Sequence, residues 1–142
     1  MNKNATRWKR ILAVRAIQRQ MAEIQLNKCV ADVANLADLG DRIGAIRGAA
    51  QPASGTHDGA VLRSVCELTA RLDSAHHALA NPTRLAIETR DRQQRAVILA
   101  KQSEMIVDKL TIAITAKDEK LSEDRQSRTA IFRKPSSRGA NL

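Results

Sequence analysis

The chain has 142 residues, 43% of them apolar, and a formal net charge of +9. That length suits one domain, but the apolar residues are almost all Ala, Leu, Ile and Val, with Trp8 and Phe132 the only aromatics. A compact core of this size normally needs several large rings to fill its centre, whereas a helical seam one side chain thick does not; the composition therefore points away from a globule and toward elongated helices.

The first element runs over residues 6–47. Its apolar positions follow helical spacing through Trp8, Leu12, Ile17, Met21 and Ile24, then Val30, Val33, Leu36, Leu39, Ile43 and Ile46, with a phase slip between Ile24 and Val30. The arm holds no proline, and its glycines, Gly40 and Gly44, fall near its end. At 1.5 Å per residue this is about 60 Å of helix, too long for an ordinary globular helix and suited to one arm of a coiled coil.

Residues 48–59 gather Gly48, Gly55 and Gly59 with Pro52 and several polar turn formers, the mark of a hairpin loop. Asp58 or Thr56 is a natural N-cap for the second arm. That return arm, 60–132, opens on a clean heptad: Val61, Val65, Leu68, Leu72, Ala75, Leu79. Asn81-Pro82 then interrupts it. Asn caps helices and Pro is tolerated at their first position, so the arm either kinks here or breaks and starts anew. Beyond it, Leu85, Ala96, Leu99, Ile106, Leu110, Ala113 and Ile114 restore the stripe, and 135–142 reads as a disordered tail. The expected fold is an all-α, long antiparallel coiled-coil helical hairpin occupying 1–134; a three-helix bundle with a break at Pro82 is the alternative.

A loop centred near residue 53 sets position i opposite about 106 − i, so Trp8 faces Ile98 and Leu36 faces Ala70. Everything after about residue 102 then overhangs the first arm, and Ile106, Val107 and Leu110 form an uncovered apolar surface. The charge is equally uneven. Residues 1–20 carry Lys3, Arg7, Lys9, Arg10, Arg15 and Arg19 without an acid, residues 122–142 have a surplus of three positive charges, and 21–121 sum to zero. A hairpin brings both basic ends together, and such a base steers an acidic partner toward itself. A solvated face is the plain alternative. Nucleic acid is a generic candidate, but stacking aromatics and any recognised binding motif are missing, so no specific nucleic-acid partner is expected.

Chemistry is not expected. His57 sits in the loop, and the adjacent His76 and His77 point about 100° apart on a helix, which prevents them from chelating one metal. No phosphate loop, nucleophile elbow or zinc spacing occurs. Catalytic residues, metals and cofactors are all expected to be absent. Cys29 and Cys66 read as small apolar residues. No apolar run reaches the ~18 residues of a membrane span, and a secretory signal is not evident, so a cytoplasmic protein, at most peripheral at the inner membrane, is expected.

A basic start leading straight into a long helix, Arg7-Trp-Lys-Arg-Ile-Leu-Ala-Val-Arg-Ala-Ile-Gln-Arg-Gln-Met-Ala-Glu23, is followed by a Gly/Pro turn and a longer charged return helix with a basic tail. In this architecture the chain resembles the FliJ family of flagellar export proteins and their YscO-type counterparts in type III secretion. The resemblance implies a non-enzymatic export component whose hairpin is stalk-like. Its helix termini would enter the pore of a hexameric export ATPase, its turn would approach the transmembrane export gate, and it would handle export chaperones. Carried onto this sequence, Arg7, Trp8, Arg10, Arg15 and Arg19 would make the electrostatic and anchoring contact, and Ile106, Val107 and Leu110 the apolar one. Pro82 departs from the pattern. A generic coiled-coil scaffold or homodimer, and a basic nucleic-acid-associated helical protein, are the competing expectations.

Overall fold

A computed structural model describes residues 3–50, 55 and 58–132. Its regular structure is two helices, α1 (Lys3–Ala49) and α2 (Gly59–Phe132), packed against each other, with no strand among the described residues. The fold is all-α, a helical hairpin. The expected tail lies outside the described residues, as does most of the loop, including Pro52, Thr56 and His57. At the loop's exit Asp58 acts as the N-cap: its carbonyl accepts from the Leu62 amide at 3.1 Å, closing the first turn of α2.

Pro82 does not end α2; the helix continues through it. The three-helix alternative therefore falls. Proline removes one backbone donor and crowds the preceding turn, a cost of about 3 kcal/mol in a helix interior. Ala78 and Pro82 are both exposed, so water can satisfy the carbonyl that the missing N–H leaves. Arg84 braces the following turn, donating to Asn81 at 2.8 Å and to Glu88 at 3.0 Å.

The helices form two compact units. One pairs the start of α1, to Arg19, with α2 from Ala100; the other comprises Gln20 to Leu99. In the first, Ala5 is buried on α2 among Thr115, Asp118 and Leu121, and Arg19 forms an ion pair with Glu104. In the second, Arg47 reaches Asp73 at 3.0 Å.

These pairs correct the register. A loop-centred hairpin would set Arg19 opposite residue 87 and Arg47 opposite residue 59, whereas their partners are Glu104 and Asp73. The connection from Ala50 to Asp58 explains how this is possible: a nine-residue segment can span roughly 30 Å, so it does not force a symmetric turn. α2 instead begins with exposed residues, Gly59 to Ser64, and its first half-buried position is Val65. The apolar residues near Ile106 consequently do not lie in an overhang. They belong to a paired stretch of α2, and the part reaching past the start of α1 is the charged segment after Ser122, where every described residue is exposed.

The seam differs from the expected stripe as well. On α1 the sheltered positions include Ala5, Trp8, Leu12, Arg19, Ala22, Leu26, Cys29, Val33, Leu36, Gly40 and Ile43, which share one heptad phase whose one gap is the exposed Arg15. On α2 they include Val65, Leu72, Leu79, Ala86, Gln93, Val97, Ala100, Glu104, Val107, Thr111, Ile114 and Asp118. Polar residues inside it are provided for: the buried Thr111 hydroxyl donates to the Val107 carbonyl at 2.7 Å, and Thr69 donates to that of Val65 at 2.8 Å. Only Ala5, Val97, Val107 and Thr111 are buried among the described residues; the core is thin.

Candidate partner-binding surface

The first six basic residues of the sequence lie on α1, but they do not act alike. Arg7, Arg10 and Arg15 are exposed, and Arg15 donates to Gln18, one turn along, at 3.2 Å. Trp8 is half-buried on the seam. Arg19 also lies on the seam: its side chain is 27% exposed and its Nε donates to Glu104 Oε2. An arginine held this way links the two helices, with about a quarter of its side chain left in solvent. Of the three apolar residues expected as contacts, Ile106 is 60% and Leu110 43% exposed, while Val107 is buried beneath them at 8%. Val107 belongs to the seam, because it sits three residues beyond Glu104 in the same heptad phase.

The structure adds residues that the sequence pattern had placed inside. Ile17, Met21 and Ile24 follow helical spacing, yet they are 55%, 63% and 55% exposed, as is Val14 at 52%. Together with two arginines and a lysine they form one row on the face of α1 away from the seam: Arg7, Arg10, Val14, Ile17, Met21, Ile24, Lys28, in steps of three and four. The apparent phase slip after Ile24 marks where this outer row gives way to the seam. Two overlapping heptad phases were the available signal.

Within the first unit an open groove of about 530 Å³ lies between the start of α1 and α2, lined by Ala5, Lys9, Thr115, Asp118, Leu121 and Arg125. It mixes both charge signs with short apolar side chains. Among the described residues no three His, Cys, Asp or Glu side chains converge on a point that could hold a metal ion, and Cys29 and Cys66 are free thiols. His76 and His77 stand with ring centroids 6.4 Å apart in an edge-on arrangement. No helix of the described residues is long and apolar enough to cross a membrane.

What the geometry offers is therefore surface: a cationic-then-apolar row on α1 and exposed aliphatic residues on α2. Comparison of the chain with protein-family models, with curated proteins and with solved structures finds no match.

Proposed function

We propose that this chain is a non-enzymatic coiled-coil component of a flagellar or type III protein-export apparatus, binding the export ATPase hexamer as a stalk and linking it to the export gate or to export chaperones. The observation that carries this reading is the outer row of α1, where the exposed Arg7 and Arg10 lead directly into the exposed Val14 and Ile17. Arginines at a helix start, unopposed by any acid in residues 1–20, attract an acidic ring lumen over a distance and raise the rate of encounter. The aliphatic residues behind them supply the desolvated contact that sets how long the complex lasts. Ile106 and Leu110 extend the apolar contact on α2. A single helical pair inside a ring of six touches the subunits unequally, which biases their nucleotide states and couples hydrolysis to events at the gate.

The test is stimulation of a cognate export ATPase by the purified chain. The triple variant Arg7→Glu, Arg10→Glu, Arg15→Glu is expected to abolish stimulation with helical content unchanged, because all three side chains are exposed. Equal stimulation by variant and wild type, or none by either, would remove the reading.

A further inference from the structure

The first four turns of α1 carry a cationic cluster that the packing of the helices does not explain. Successive helical residues turn by about 100°, so Lys3, Arg7, Arg10, Val14 and Ile17 fall within an arc of about 80°. That arc lies on the side of α1 opposite the seam positions Ala5, Trp8 and Leu12. All three cations are exposed, and residues 1–20 hold no acid to answer them along the helix. Lys3 and Arg7 stand four residues apart and Arg7 and Arg10 three, spacings at which like charges repel and weaken a helix. The helix dipole also disfavours cations at this end. The cluster thus works against the stability of α1, and an anion bound to it relieves that cost. An open cleft of about 380 Å³ among Lys3, Thr6, Arg7, Arg10 and Ile11 gives an anionic group a place between the side chains. One turn farther along the same face, Val14 and Ile17 are more than half exposed.

We propose that this face of α1 binds, reversibly, the surface of a bilayer rich in anionic phospholipid. Headgroup phosphates sit at Lys3, Arg7 and Arg10, and Val14 and Ile17 reach the boundary with the acyl chains. Guanidinium groups hold phosphate oxygens through paired N–H donors. Their long stems let the charges stay at headgroup depth while shorter aliphatic side chains go lower. Nucleic acid supplies phosphates too, but this face has no aromatic ring on which a base could stack, and two exposed aliphatic residues gain nothing from a phosphate backbone. A protein partner must provide the whole concave surface to fit the outer side of a single helix, whereas a fluid headgroup layer needs no matched shape. Each basic side chain near an anionic leaflet raises affinity about five-fold, so the three together contribute about a hundred-fold. Two aliphatic residues are too few to hold the chain on a neutral bilayer, so attachment needs both halves of the face. The inference does not rest on the export reading; where both hold, the ring and the bilayer compete for the same side of α1.

The test is co-sedimentation of the full chain with vesicles of phosphatidylcholine alone or of phosphatidylcholine containing about one third phosphatidylserine. Wild type is expected to pellet with the anionic vesicles only, and its partition to fall about ten-fold or more between low and high salt. Arg7→Gln with Arg10→Gln is expected to lower partition about 25-fold. Val14→Ser with Ile17→Ser is expected to lower it several-fold while keeping the salt dependence. Circular dichroism should be unchanged in both pairs, since all four residues are exposed. Arg125→Gln with Arg128→Gln removes the same charge near the end of α2 and is expected to change partition less than about two-fold. No binding, or equal binding to the two kinds of vesicle, overturns the proposal and leaves the face to a protein. Indifference to the Val14 and Ile17 substitutions marks adsorption to any polyanion and overturns it as well. An equal loss from the Arg125 and Arg128 pair does the same, because net charge and not this face would then be what the bilayer reads.

Discussion

Arg19 shows how one residue can look like a binding group in sequence and act as a seam residue in the fold. Its guanidinium closes on Glu104 with roughly a quarter of each side chain exposed. In such a place the attraction of the pair is offset largely by the loss of hydration, so the pair fixes register more than it adds stability. Removing one partner is another matter, because the remaining charge keeps its burial and loses its counterpart. Glu104→Ala is expected to lower unfolding stability by about 1–3 kcal/mol, read from urea denaturation. Replacing both residues by Leu is expected to bring stability back to the wild-type value or above it. Arg47 and Asp73, at 54% and 39% exposed, form a surface pair worth under about 1 kcal/mol; alanine there should change little by comparison.

At the scale of the element, α1 and α2 owe their length to a near absence of breakers and to many strong helix formers, not to a large buried face. Pro82 is the one interior proline. Its exposed position lets the helix tolerate it, but the lost hydrogen bond still has its cost. Pro82→Ala is therefore expected to stabilise the protein by up to about 3 kcal/mol, with slower amide exchange at residues 83–86, measured by thermal unfolding and hydrogen exchange. An unchanged melting temperature would mean that the turn before Pro82 is not helical in solution. Helix existence and the loop position were legible from Pro and Gly placement alone. The fate of Pro82 was not, because a proline after an asparagine serves equally as a first-turn residue or as a tolerated interior one, and its surroundings across the pair decide.

For the whole molecule the decisive quantity is the offset between the helices. Cross-linking measures it directly. With Cys29 and Cys66 changed to Ser, a short bis-maleimide is expected to join Ala5→Cys to Asp118→Cys within one chain, since both line the same groove, and not to join Ala5→Cys to Lys101→Cys, the partner a loop-centred register would choose. The reverse pattern would restore the long apolar overhang. Charge distribution, in contrast, was fully readable: the acid-free start of α1 is a property of the chain order, and folding leaves Arg7, Arg10 and Arg15 in solvent.

Composition and periodicity by themselves determined that this protein is built of long helices with a reversal between the first arm and the rest, because helix propensity and chain breakers act over a few neighbouring residues; that α2 runs unbroken through Pro82 was decided by the fold. Which of two apolar phases became the seam, and by how many residues the arms are offset, was decided only by tertiary structure. Each phase is apolar enough to be buried, as Leu12 and Ile17 on α1 illustrate. The choice rests on what stands across the interface, where Glu104 answers Arg19. Such complementarity belongs to a pair of helices and has no counterpart in either one alone.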